Sequence, residues 1–232
     1  MQCILESVRF SRDGFLLRAH GVFPPGIHLV TGRVGSGKST LGELMRGVLE
    51  PGDGRITREG VGSSVLSMQF PEYHITTTTA GEEVRSWGQE PDSILRQAGL
   101  AGRADDDLLT FSRGELKRLH LSCLFAGAYD LMILDEPFAG LDDAARYWVV
   151  SRIGSCRDRI IVIISHDITT LPGIDHLWEM DGGALRHLGP VPQALAGWEH
   201  APPLLRYLHD QGISLSGLSW EDLAEAVCRI PG

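Results

Sequence analysis

Nine residues, Gly32 to Thr40, read GRVGSGKST and carry a chemistry that their spacing makes specific. Gly32, Gly37, Lys38 and Ser39 hold the fixed positions of G-x-x-x-x-G-K-[ST], a loop whose backbone N–H groups wrap phosphate oxygens. Arg33, Val34, Gly35 and Ser36 fill the interior of the loop, and Thr40 leads out of it. An apolar run, Ile27 to Thr31, feeds the loop, and Leu41, Leu44, Met45 and Val48 recur after it at helical spacing. The order strand, glycine loop, helix aims the positive end of a helix dipole at the same point. In such a loop the lysine ammonium, here Lys38, neutralises β- and γ-phosphate oxygens, and the hydroxyl of Ser39 ligates Mg2+. The expected ligands are ATP and magnesium.

Kinases, GTPases, helicases and transport ATPases all use such a loop, and a second motif narrows the choice. Leu131 to Pro137 reads LMILDEP, an apolar strand that delivers Asp135 to a metal and sets Glu136 beside it. A carboxylate in that place polarises the water that attacks the γ-phosphate. The guanine-reading motif NKxD is excluded, because the chain contains no asparagine.

With these two motifs in this order, the chain resembles the ATP-binding-cassette (ABC) ATPases. Gln69 stands after an apolar strand at that family's Q-loop position, and FSRGE, Phe111 to Glu115, takes the place of its LSGGQ signature. AGLD, Ala139 to Asp142, resembles the D-loop, and His166 follows a strand as the switch histidine does. The resemblance implies that Gln69 reaches the metal alongside Ser39 and Asp135, and that Glu136 and His166 orient the water and the γ-phosphate. It also implies that Ser112, Gly114 and Glu115 face the ATP of a second ATPase subunit, identical or different, so that two nucleotides are sandwiched between two cassettes. Ser112 and the amide of Gly114 sit at a helix start, which suits an anion.

The chain departs from the family pattern at two positions of the signature: Arg113 replaces the first glycine, and Glu115 replaces the glutamine. A bulky cation there either hinders closure of the two cassettes or adds a charge that stabilises the transition state. The family's adenine-stacking aromatic is replaced as well. In Val8-Arg9-Phe10-Ser11-Arg12 its position falls on Arg12, whose guanidinium plane can stack on a base, while Phe10 reads equally as core.

Met68 to Val84, MQFPEYHITTTTAGEEV, is similar to the Q-loop region of energy-coupling-factor (ECF) transporter ATPases, which serve vitamin or transition-metal uptake. Residues 200 to 230 resemble that group's C-terminal extension, which contacts the partner ATPase. The resemblance implies an integral membrane coupling subunit, a substrate-binding membrane subunit, and a peripheral location on the cytoplasmic face of the membrane. Glu72, Glu82 and Glu83 are candidates to meet basic residues of the coupling subunit, or form a solvated acidic face. The alternatives are a non-transport cassette ATPase and a hydrolysis-deficient nucleotide-binding regulator. Chromosome-type cassettes insert a coiled coil between phosphate loop and signature, whereas Lys38 and Ser112 are only 74 positions apart.

The elements that must position these residues follow from the same pattern. Alternating strands and helices predict an α/β fold, a P-loop NTPase core with a covered, mainly parallel sheet. Short segments broken at Asp13-Gly14 and Pro24-Pro25-Gly26 predict an N-terminal antiparallel β subdomain. Helices are expected over Thr40 to Leu49, near Asp92 to Gly99, from Gly114 onward, and near Asp142 to Ile153, with strands at Leu131 to Asp135 and Ile160 to Ser165. Residues 1–190 are expected to form the ATPase domain, with a small helical subdomain over about 70–125. A helical C-terminal extension, 191–232, is the expected dimer contact, and Ser219 with Asp222 three positions on forms a capping box within it.

The 232 residues carry a formal charge of -9, which repels polyphosphate and argues against a nucleic-acid partner. Cys3, Cys123, Cys156 and Cys228 form no CxxC pair and follow no leader, so reduced thiols in a cytosolic protein are expected. No run of eighteen apolar residues occurs, so membrane association must come through a partner.

Overall fold

The chain was analysed as a computed structural model, which describes residues 1–230. Strands β1 (Gln2–Arg12), β2 (Phe15–Phe23), β3 (Gly26–Gly32), β4 (Asp53–Glu59), β5 (Ser64–Ser67), β6 (Leu131–Asp135), β7 (Ile160–Ile164), β8 (His176–Asp181) and β9 (Ala184–Pro190) form one sheet. Its order is β4-β1-β2-β9-β8-β3-β7-β6-β5. The strands β5, β6, β7, β3 and β8 run parallel. Every residue of β6 and β7 is buried, as strands covered on both faces require. The antiparallel N-terminal strands continue this same sheet, joined through a single parallel pair between Arg18 of β2 and Ala184 of β9.

Helix α1 (Lys38–Arg46) leaves the glycine loop and ends earlier than the apolar spacing predicts. Gly47 adopts φ 85° and its N–H bonds the carbonyls of Glu43 and Leu44, closing the helix in a left-handed cap. The guanidinium of Arg58 takes up the carbonyls of Met45 and Leu44 at 2.7 and 3.1 Å. Val48, at helical spacing but beyond the cap, is exposed.

Helices α2 (Ala80–Ser86), α3 (Pro91–Gln97) and α4 (Arg113–Ala126) gather a separate core of Val84, Ile94, Leu95, Leu108, Leu116 and Leu119. Helix α4 contributes to this core and to one of the two that flank the sheet, since Leu121, Leu124 and Phe125 pack there. Buried on two sides, it hides the one-faced periodicity of a surface helix, and it fixes the FSRGE segment at its N-terminus relative to the sheet. Helix α5 (Asp143–Gly154) starts at Asp142, whose carboxylate accepts the N–H of Ala145 at 2.8 Å. Helices α6 (Pro203–Asp210) and α7 (Trp220–Cys228) follow β9, and Leu205, Leu218 and Leu223 join the core beneath the sheet. The Ser219–Asp222 capping box is formed by both of its bonds. Among the described residues no helix is long and apolar enough to cross a membrane.

One acidic candidate is corrected by this packing. Glu83 is 6% exposed and turns inward. One of its oxygens accepts the N–H groups of Thr76 and Thr77 at 2.9 and 3.2 Å and the Thr77 hydroxyl at 3.0 Å, and the other accepts the indole N–H of Trp87 at 3.2 Å. It organises the threonine run and has no free face for a partner. Glu82 pairs with Thr79 in a second capping box and remains exposed. Removing a buried acceptor leaves its donors unsatisfied, so Glu83→Ala should cost on the order of 3 kcal/mol of stability in urea denaturation. A loss below 1 kcal/mol would show that these bonds hold nothing together.

Candidate active site

The glycines of the loop are required by the fold as well as by phosphate. Gly32, the last residue of β3, pairs with Met180 of β8 at φ 139°, and a Cβ there would lie 2.1 Å from the Met180 carbonyl oxygen. Gly37 caps α1 at φ 102° and supplies no side chain to its free N–H groups, which are left to an external acceptor. The hydroxyl of Ser36 is buried without a partner. Lys38 is 9% exposed, and its ammonium donates to the carbonyls of Gly32 and Arg33 at 2.7 and 3.0 Å, bracing the loop from within. Burial lowers its pKa, and the charges of Glu136 and Asp135 oppose that shift.

Beside the loop opens a cavity of about 320 Å³ whose walls carry Lys38, Ser39, Gln69, Asp135, Glu136 and His166. The parallel register β3–β7–β6 brings these groups together, because loop, Asp135 and His166 all sit at the C-terminal ends of adjacent strands. A larger cavity, about 620 Å³, lies under the C-terminal tail beside Trp198 and Leu205. It contains none of these groups, so the chemistry belongs to the smaller one.

Asp135 is 5% exposed, and its pKa is raised by burial, an effect that the Ser39 hydroxyl opposes and the Glu136 charge reinforces. A buried carboxylate beside a hydroxyl is a hard-oxygen donor pair suited to Mg2+. Glu136 occupies the left-handed region at φ 47°, which costs a residue with a Cβ on the order of 1 kcal/mol. Its carboxylate is held by the Ser165 hydroxyl at 3.1 Å and the His166 N–H at 3.1 Å, and His166 Nδ1 lies 2.6 Å from the same oxygen as that N–H. The acid and the histidine therefore form one unit.

Two groups that the sequence reading did not single out belong here. Phe15, opposite Arg12 across the β1–β2 turn, lines the cavity and lies against Gly37, 2.5 Å from where a Cβ would stand. Arg12 does not line it; exposed, it sits 3.6 Å from Asp13. The aromatic beside the loop is thus Phe15, displaced from the expected position by the hairpin register. Lys117, on α4, is 3% exposed and donates to the carbonyls of Glu136 at 2.5 Å and Gln69 at 3.4 Å. Burial pushes its pKa down to about 8 against the pull of Glu136 and Asp135.

Ser112, Gly114 and Glu115 are not among the residues lining the cavity. Ser112 caps α4: its hydroxyl donates to Glu115 at 2.8 Å, and the Glu115 carboxylate also accepts the Ser112 N–H at 2.8 Å. The N–H and hydroxyl of Ser112, then the Arg103 guanidinium at 2.5 Å, hold the Glu115 pKa below its usual value. Within its own chain the Glu115 carboxylate is thus engaged at the helix cap and by Arg103. Gly114 faces the AGLD loop, where a Cβ would come 3.0 Å from the Gly140 carbonyl. Arg113 turns toward the segment after Gln69, reaching Glu72 at 2.9 Å and the face of Phe70 at 5.8 Å.

Comparison with known proteins places this geometry. The family described as "ABC transporter" matches residues 21–139. The biotin transport ATP-binding protein BioM of Rhodobacter capsulatus is 31% identical over 72% of this chain and 80% of its own length. The energy-coupling factor transporter ATP-binding protein EcfA1 of Thermotoga maritima is 26% identical over 82% of each chain. Among solved structures, the dimeric post-hydrolysis state of the ATP-binding cassette MJ0796 bound to ADP and Pi superposes with a TM-score of 0.68, covering 80% of this chain and 97% of that one. At 16% identity that likeness establishes the fold.

Proposed function

This chain belongs to the ABC transporter family of ATP-binding cassettes, and from that premise we propose that it hydrolyses MgATP to drive an importer of the ECF type. The observation that carries the reading is the shared cavity, in which the braced glycine loop, Asp135 and the Glu136–His166 pair converge. The relatives named for biotin transport and for energy coupling support the importer class.

Each residue's part follows from its place. The loop amides and Lys38 take the β- and γ-phosphate oxygens, and Phe15 offers its ring to the adenine. Mg2+, when bound, supplies charge neutralisation at the phosphates; Ser39, Asp135 and Gln69 are the side chains that would hold it. Glu136 takes the proton of the attacking water, and His166, bonded to the same carboxylate oxygen, orients it and the γ-phosphate. Ser112 and Gly114 lie outside the cavity of their own chain and serve the nucleotide of a facing cassette, identical or different. Leu204, Tyr207, Trp220 and Val227 are exposed apolar residues on the C-terminal helices, and they support an interface between subunits there. The Arg113 guanidinium is drawn toward Glu72. The chain acts as a peripheral subunit on membrane partners, among them a coupling subunit that docks near Glu72 and Gln69.

Phosphate release by the purified assembly in the presence of MgATP tests the reading. Nucleotide binding without release would reduce the chain to a regulator. Stacking of a base on an aromatic ring is worth about 1–3 kcal/mol, so Phe15→Ala should weaken ATP binding about tenfold. Arg12→Ala should leave it unchanged in the same titration; the reverse pattern would return the base to Arg12.

A further inference from the structure

We infer that Lys117 is a positioning residue for hydrolysis, holding the main chain of Glu136 and of the Q-loop together from the signature helix. The inference rests on the ATPase reading above and extends it to a residue that is not among those lining the cavity. Lys117, His120, Leu121 and Leu124 share the inner stripe of α4, and a lysine on such a stripe is desolvated. A buried ammonium is costly unless its donors are used. Here its partners are two carbonyls, of Glu136 at 2.5 Å and of Gln69 at 3.4 Å.

One partner is a point of backbone strain and the other belongs to a residue that lines the cavity. Glu136 leaves β6 in the left-handed region, and its carbonyl is the group that Lys117 takes up. Its N–H, on the other side, bonds the carbonyl of Ile164 on β7 at 2.8 Å. Pinned at both ends, Glu136 keeps the strained conformation that aims its carboxylate at Ser165 and His166. Gln69 also lines the cavity, and its main-chain carbonyl accepts from the same ammonium at 3.4 Å. Four turns of α4 carry Ser112 at the cap and Lys117 further along, so the segment expected to meet the partner's nucleotide and the clamp on this chain's Glu136 move as one body.

The test compares Lys117→Met, which keeps the length of the stem and removes the donors, with Lys117→Gln, which restores the two N–H donors of an amide without the charge. Steady-state ATP turnover is measured on the purified assembly, with ATP affinity titrated separately. Lys117→Met should lower kcat at least about tenfold with KM and Kd for ATP within about threefold, and Lys117→Gln should recover kcat to within about fivefold of the native value. A Lys117→Met assembly with native kcat would overturn the inference, as would a loss confined to KM or a Gln variant no better than the Met variant. Should Lys117→Met fail to fold by circular dichroism, a folded, ATP-binding Lys117→Gln variant slower by more than about tenfold overturns it alone. Absence of phosphate release from the native assembly would instead overturn the ATPase reading itself.

Discussion

Glu136→Gln is expected to abolish turnover while sparing nucleotide binding. The amide oxygen of glutamine can stand where Oε1 accepts the His166 N–H at 3.1 Å, and its NH2 then donates to the Ser165 hydroxyl, which in the native site donates to Oε2 at 3.1 Å. The left-handed backbone and its bonds to the Lys117 ammonium and the Ile164 carbonyl use only main-chain atoms of Glu136 itself. Geometry is therefore retained and only the proton-accepting charge is lost. Loss of a general base costs about 10²- to 10⁴-fold in rate. Phosphate release by the variant assembly should fall by at least about a hundredfold, with the ATP dissociation constant unchanged or lower. Turnover within a few-fold of native would remove Glu136 from the chemistry and leave His166 as the group to examine.

Gly32→Ala should be the most damaging single substitution in the loop. The new Cβ would stand 2.1 Å from the Met180 carbonyl oxygen and 3.0 Å from its carbon, both backbone atoms that cannot rotate aside. At φ 139° the backbone conformation is also one that alanine resists. Either β8 separates from β3 at the Gly32–Met180 pair, or the loop begins in a different place. A cost on the order of 3 kcal/mol, about 10 °C in melting temperature, is expected, with ATP affinity reduced at least about thirtyfold. Gly35 is the internal control. It has φ 79° but nothing within 4 Å of an added Cβ, so Gly35→Ala carries only the conformational strain, about 1 kcal/mol. Equal melting temperatures for the two variants would contradict the steric argument.

The parts of this fold that could be read in the sequence are those whose cause is local. Continuous apolar runs gave β6 and β7 to within one residue, because a strand buried on both faces has no polar positions to confuse its bounds. Asp142 as a helix start and the Ser219–Asp222 box are likewise short-range chemistry. The S-x-x-E box at Ser112–Glu115 is short-range chemistry of the same kind. Phe15 was obscured by register. Only the pairing of β1 with β2 shows that the residue after the turn, and not Arg12 before it, reaches the loop. Glu83 and Lys117 were obscured by burial: each reads as a surface charge until the partners contributed by distant segments are known. Lys117 did leave a signal, a cation sharing an apolar stripe with Leu121 and Leu124. The junction of β2 with β9, more than 160 positions apart, left none.

The central claim is that the glycine loop of one chain is half of a site and that Ser112 and Gly114 of a facing cassette complete it. Turnover per chain, measured as the purified assembly is diluted and its mass followed by light scattering in the same samples, addresses this directly. The account predicts that turnover falls in step with the fraction of paired cassettes, while ATP binding to the separated chains persists. Turnover per chain that stays constant after the cassettes have separated would contradict it.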